Sequence, residues 1–287
     1  MKYFVIFFLF STLLFSSKIE LEILGSGGPE LDGRASTSYL LWVDDEARLI
    51  VDMGSGSMLR FEQSGAKLET LEAVVLTHLH IDHSVELPSF VKAGFFSNRT
   101  QSLDILAPDG NDYFPSITLF VHNLFAQGGV YPYMQDVLTK KSDSFEIIPI
   151  DVTKKVVKKY KSFMLTLIRV HHGIVPALAL KINIQGKVIV ISGDTNNKNS
   201  LLQQLAFNAD LLIAHHAIPQ SQEGYATQLH MKPSNIANIA QVAHVKRVIL
   251  THRMLRTIGL ENETLTRIKK VYKGEVLFAE DRMKIEL

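Results

Sequence analysis

The chain has 287 residues, 46% of them hydrophobic, and balances 30 lysines and arginines against 29 acids, with no cysteine. That length suits one large globular core, and the apolar content excludes a disordered chain. A net charge of +1 excludes a chain-wide basic field of the kind that captures nucleic acid by itself, and the lack of cysteine excludes disulfides, Cys-linked lipid and thiolate metal ligands.

Met1 and Lys2 precede an apolar run from Tyr3 to Phe15 that is short for a bilayer span but suits the core of a signal peptide. Residues 1–17 are therefore expected to be a leader and residues 18–287 one folded domain, exported to the periplasm or secreted. Phe15-Ser16-Ser17 is a poor small-x-small cleavage site, so an uncleaved anchor is the alternative, and membrane contact is expected only in that case. Ile19 to Leu24 alternates apolar and polar and stops at the turn Gly25-Ser26-Gly27-Gly28-Pro29, whose glycines lack the spacing of a phosphate-binding fingerprint. Tyr39–Val43 and Arg48–Asp52 flank Asp44-Asp45-Glu46 as a hairpin would.

Ala73 to Leu76 is a continuous apolar run, as a buried parallel strand requires, and it leads directly into Thr77-His78-Leu79-His80-Ile81-Asp82-His83-Ser84. Three imidazoles and a carboxylate at this spacing point to metal ligation. Side chains two apart in extended chain share a side, so His78 and His80 can converge on one ion while Asp82 and His83 serve a neighbour. The stretch from Ala107 to Ser144, rich in Gly, Pro and aromatics, has the composition of a lid or a homodimer surface. Ile117 to Phe125 within it reads as a helix, with His122 an ordinary surface or core histidine. Lys154, Lys155, Lys158, Lys159 and Lys161 form the one basic cluster, which suits the solvated face of a hairpin.

Later apolar runs share one property: each ends in a residue type that binds metal or handles protons. Phe163–Val170 ends in His171-His172, Lys187–Ile191 in Ser192-Gly193-Asp194-Thr195, Leu211–Ile213 in Ala214-His215-His216, and Val248–Leu250 in Thr251-His252. Between the last two, Pro233 and Ser234 open an amphipathic helix with Ile236, Ile239, Ala240 and Ala243 facing the core, and His244 closes it without functional context. Sites in open α/β sheets collect at strand ends, so one sheet edge is expected to gather these residues. Arg253 and Arg256 follow closely enough to reach an anionic substrate.

The Thr-His-x-His-x-Asp-His box, the Gly-Asp-Thr strand end and the final Leu-Thr-His resemble the metallo-β-lactamase superfamily over most of the chain after the leader. Residues 172–182 are similar to the third-histidine segment of its ribonuclease Z and arylsulfatase-like branch. The resemblance implies an α/β fold, an αββα sandwich of two mixed sheets flanked by helices. It gives His78, His80 and His172 to one zinc, Asp82, His83 and His252 to a second, and Asp194 as the bridge, with His171 the rival of His172 and Asp52 bracing the ligand loop. Manganese or iron would suit the same nitrogen and oxygen donors. A metal-bridging hydroxide would attack an ester, and a proton must then reach the leaving group, with Asp82 and His230 as candidates. In this branch a glutamate after the preceding strand partners the histidine that matches His230; here His216 falls at that position, and His215 or His216 is left to replace it or to orient a ligand.

The segment from His172 to Asp194 has room only for a hairpin, not the basic arm of a transfer-RNA endonuclease, so nucleic acid is not the expected partner. The expected activity is hydrolysis of a small anionic ester, a phosphodiester or aryl sulfate. The alternatives are a ribonuclease Z-type endonuclease and a metal-binding protein without turnover.

Overall fold

The computed structural model of the protein describes residues 17–139 and 145–287. Apart from Ser17, the expected leader lies outside the described residues, as do 140–144 of the aromatic-rich stretch. Strands β1 (Ile19–Gly25), β2 (Ser38–Val43) and β3 (Glu46–Val51) form an antiparallel meander. Asp44 and Asp45 sit at φ 51° and 60°, the left-handed pair whose twist suits a two-residue hairpin turn. Beyond β3 the sheet turns parallel through β4 (Ala73–Val75), β5 (Leu103–Pro108) and β6 (Ile147–Val152).

The second sheet starts with the antiparallel run β7 (Lys155–Lys159), β8 (Met164–His172), β9 (Val175–Ile184) and β10 (Lys187–Ile191). It continues in parallel through β11 (Leu211–His215), β12 (Arg247–Thr251) and β13 (Glu275–Phe278). The chain then returns to the first sheet, where β14 (Lys284–Glu286) pairs with β1. Leu21, Ile23, Tyr39 and Val75 of one sheet pack against Leu165, Leu167, Leu180 and Ile213 of the other. Helices Leu87–Gly94 and Ile117–Phe125 cover the outer face of the first sheet through Phe90 and Phe125. Helices Pro233–Val242 and Glu261–Lys269 cover that of the second through Ile236, Ile239 and Ile268. The result is the expected αββα sandwich.

One local expectation changes. Glu22, a polar position in the alternation of β1, is 1% exposed, because that side of β1 lies beneath the helix layer with Leu24, Leu40 and Trp42. Trp42 Nε1 donates to its carboxylate at 2.9 Å. Burial raises the pKa of Glu22, opposed by the Trp42 bond and by Lys284.

The basic cluster sits at an edge, where lysines discourage strand addition. Lys158 Nζ pairs with Asp104 at 2.6 Å, while Lys154 and Lys155 line, with Lys181 and Arg169, an outer cavity of about 640 Å³. Glycine is required at two turns beside the site. A Cβ at Gly54 would lie 2.2 Å from the carbonyl oxygen of Asp82, and one at Gly193, at φ 56°, would lie 2.2 Å from that of Leu178.

Candidate metal centre

The parallel strands β4, β10, β11 and β12 deliver chemistry at their C-terminal ends, where the two sheets meet. His78 and His80 follow β4, and Asp82 and His83 lie in the short helix Ile81–Ser84. His172 ends β8, Asp194 follows β10, His215 ends β11, and His252 follows β12. His252 and Asp52 hold positive φ, at 51° and 61°, a left-handed conformation that costs a non-glycine residue on the order of 1 kcal/mol or more. Strain of this kind persists only where surrounding bonds over-determine it.

Three groups of possible ligand atoms result, one of them Asp194, His215 and His252. His78, His80, His172 and Asp194 place one atom each within 4.8 Å of one another, and so do Asp82, His83 and His252. Asp194 Oδ2 joins the last two groups, at 3.8 Å from His78 Nε2 and 3.6 Å from His172 Nε2 on one side, and 3.8 Å from His83 Nε2 and 3.4 Å from His252 Nε2 on the other. Asp82 Oδ2 lies 3.5 Å from His83 Nε2 and 3.4 Å from His252 Nε2. The structure thus brings together all seven residues singled out as ligands, and of the adjacent pair it is His172 that faces Asp194. The carbonyl of His171 instead accepts from Asn196 N and Thr195 Oγ1, both at 3.1 Å.

Buried partners set the outer nitrogens of the rings. His172 Nδ1 donates to the Leu229 carbonyl at 2.8 Å, which leaves Nε2 as a lone pair. That Nε2 is buried and without a hydrogen-bond partner. Asp52 accepts from Thr77 N at 2.6 Å, from Thr77 Oγ1 at 2.8 Å and from His83 Nδ1 at 2.8 Å, so it pins the ligand loop and turns His83 Nε2 inward. This is the bracing role that the resemblance implies for Asp52.

His78 Nε2 and His80 Nδ1 face each other at 2.9 Å, and His252 Nε2 and His83 Nε2 at 3.1 Å. Paired ring nitrogens with an orphaned Nε2 beside them fit a metal of the zinc type, to which each would offer its lone pair.

Electrostatics separate the histidines. Burial lowers the pKa of His78, His80 and His172, with neighbouring imidazoles adding to the effect. Burial opposes charging of His83 and His252 too, but the carboxylates of Asp82, Asp52 and Asp194 outweigh it and raise both. Asp82 and Asp194 show the converse: burial pushes their pKa up, yet the facing histidines hold both below the usual carboxylate range.

His230, the candidate for passing a proton, lies against the cluster. Its ring lies between those of His172 and His252, at centroid distances of 5.3 and 5.8 Å, and its Nδ1 is 3.7 Å from Asp194 Oδ1. Burial pushes its pKa down to about 3.

His216 is a correction. The strand alternation turns it away from the cluster, where its Nε2 faces Thr264 Oγ1 at 3.4 Å and its ring approaches Phe278. The histidine that reaches the centre from β11 is His215, whose Nδ1 lies 2.8 Å from Asp194 Oδ1.

Arg253 is a second correction. Its guanidinium is buried, pairs with Glu261 and lies over the Phe278 ring at 4.5 Å, so it ties the end of β12 to the last helix and is not offered to a substrate. Arg256 is half-buried, donates to the Ala217 carbonyl at 2.7 Å, and stands close enough to Asp194 for their charges to interact. His122 is exposed on its helix, and His244 is exposed after the helix Pro233–Val242.

Two contributors went unmarked in the sequence. Phe114, half-buried, lies with its ring 6.0 Å from that of His80. Tyr39 reaches His215 from the opposite sheet. Neither carries a local signal, since an aromatic in a loop or a strand reads as core.

Fold and ligand cluster together define a metallo-β-lactamase-fold protein with a metal centre between its sheets. The family described as "Anti-Pycsar protein Apyc1" matches residues 19–256, and the chain belongs to it. The Ribonuclease Z of Latilactobacillus sakei is 26% identical over 84% of this chain and 89% of its own length. That of Haloferax volcanii is 26% identical over 92% and 93% respectively. Among solved structures, the metallo-β-lactamase-fold protein YhfI from Bacillus subtilis superposes with a TM-score of 0.76 at 22% identity, covering 95% of this chain and 100% of that one. The short form of human tRNase Z gives 0.69 at 21% identity, covering 93% and 98%. Yeast PDE1 gives 0.68 at 15% identity, covering 95% and 100%. The chain thus has this fold and carries a cluster of histidines and aspartates that could hold a metal.

Proposed function

We propose that the centre takes two zinc ions and that the substrate is a small phosphodiester. One observation carries the two-ion reading: Asp194 Oδ2 lies 3.4 to 3.8 Å from four histidine nitrogens, those of His78 and His172 on one side and of His83 and His252 on the other, which is the place of a bridging oxygen. When bound, paired ions would lower the pKa of a coordinated water and neutralise charge on the attacked group. The chain's own residues would do the rest. Arg256 would draw the anionic ester towards the centre, Phe114 would restrict the approach, and His230 would hold or pass the proton for the leaving oxygen from its place beside Asp194. Phosphorus is favoured over sulfur because the relatives named ribonuclease Z point by name to phosphate chemistry.

The test is metal content by elemental analysis, run with hydrolysis of bis(p-nitrophenyl) phosphate against p-nitrophenyl sulfate. Two zincs with turnover of the phosphodiester are expected. Two zincs with turnover of the sulfate alone would shift the substrate class, and two zincs without any turnover would favour a binding protein.

A second reading is a ribonuclease Z-type endonuclease, favoured by the curated relatives of that name, which runs against the expectation that nucleic acid is no partner. Between His172 and Asp194 the chain forms only the β9 and β10 strands, without a protruding arm. Cleavage of precursor tRNA, with affinity falling steeply as salt rises, would establish it. Export belongs to the same proposal and rests on the sequence of residues 1–17 alone, to be checked by the N-terminus of the protein recovered from the cell envelope or medium.

A further inference from the structure

Asp194 divides its two oxygens. Oδ2 faces His78, His83, His172 and His252, four of the five histidines singled out as ligands, while Oδ1 is held at 2.8 Å by His215 Nδ1. His215 Nε2 lies 2.9 Å from the hydroxyl of Tyr39, which in turn lies 3.3 Å from Thr251 Oγ1. His215, Tyr39, Thr251 and Asp194 are all buried. His215 Nδ1 donates to the Asp194 carboxylate, while the Tyr39 hydroxyl meets His215 Nε2 on the other side of the ring and lies within reach of Thr251. Tyr39 stands in β2 of the first sheet and His215 in β11 of the second, so the chain of bonds crosses the interface between the sheets beneath the metal centre.

We propose that His215, oriented by Tyr39, is a positioning residue that engages Asp194 Oδ1 and so leaves Oδ2 as the oxygen that Asp194 would offer to metal held with the facing histidines. The inference rests on the two-ion reading above. A carboxylate released from His215 would have both oxygens free, and the one that faces the histidines would no longer be fixed. Partners of ligands in other metal sites change metal affinity by about 10- to 100-fold when removed.

The experiment is competitive zinc titration of the purified chain against a chromophoric chelator, on wild type, His215→Ala, His215→Asn and Tyr39→Phe, with thermal unfolding of each metal-free protein as the folding control. The asparagine amide nitrogen can occupy the place of Nδ1. Wild type is expected to bind two ions. His215→Ala should weaken binding about 10- to 100-fold, His215→Asn should recover most of that loss, and Tyr39→Phe should show a smaller loss in the same direction. Wild-type affinity in both His215→Ala and Tyr39→Phe would overturn the proposal. So would equal losses in His215→Ala and His215→Asn, which would mean that packing alone is served. If His215→Ala does not fold, the asparagine and Tyr39→Phe variants decide. A wild-type count below two refutes the two-ion reading itself and is seen before any variant is compared.

Discussion

Replacing Asp52 with asparagine changes almost no volume yet should disable the ligand group of Asp82, His83 and His252. Asp52 is buried and accepts three hydrogen bonds, from Thr77 N, Thr77 Oγ1 and His83 Nδ1. An amide has one acceptor oxygen, and its NH2 must face a partner that can accept. The Thr77 amide cannot become an acceptor, so the oxygen stays there and the NH2 falls opposite Thr77 Oγ1 and His83 Nδ1. The hydroxyl can rotate to accept. The imidazole can accept only by moving its proton to Nε2, the nitrogen that faces Asp82 and His252. The ligand then presents N–H where a lone pair is needed. Losing a charge-assisted bond costs about 1.5–3 kcal/mol, or about 10- to 100-fold in affinity for the ion held by Asp82, His83 and His252. Zinc titration of Asp52→Asn should therefore show one site near wild-type affinity and one weakened by that factor, with the unfolding temperature rising less on zinc addition than in wild type. Two sites of unchanged affinity would refute the reasoning, because the Asp52 bond would then not set the orientation of His83.

Metal affinity should also depend on pH in a direction fixed by His83 and His252. Both must lose a proton to bind, and the carboxylates around them raise their pKa against the pull of burial. Affinity is full above the raised values and falls as pH drops through them, beginning above the ordinary imidazole value of about 6.5. Calorimetric zinc titration in buffers of different ionisation heat should show proton release on binding, and identical heats in all buffers would contradict this. Gly54→Ala should lower stability by about 1–3 kcal/mol, read by thermal unfolding, because its Cβ would press on the Asp82 carbonyl. Arg253→Ala should lower stability by about 1–2 kcal/mol through loss of the Glu261 pair and the Phe278 contact, and leave KM unchanged. Arg256→Ala should instead raise KM for an anionic ester by about tenfold, with little change in unfolding temperature. The reverse pattern in steady-state kinetics would return Arg253 to the substrate side.

The ligands were legible because their signal is local. An apolar run that ends in His78-Leu79-His80 states both the strand and what it holds, and Asp194 and His252 follow the same rule at β10 and β12. Period-2 alternation explains the limit at the neighbouring strand end. It dictates that His215 and His216 face opposite ways but not which faces the centre, since that depends on the twist at the end of β11 and on Tyr39 from a sheet 176 residues earlier. Arg253 failed for a related reason: proximity in sequence to a ligand does not fix the direction of a long side chain, and Glu261 and Phe278 drew it into the interior. Glu22 reads as solvent-facing only when the helix layer over β1 is unknown.

The account stands most directly on the number of zinc ions bound per chain, measured by elemental analysis of the wild-type protein after exhaustive removal of free metal. Two ions per chain are predicted, held by His78, His80 and His172 on one side, Asp82, His83 and His252 on the other, and Asp194 between them. One ion, or none under zinc-replete conditions, would contradict it.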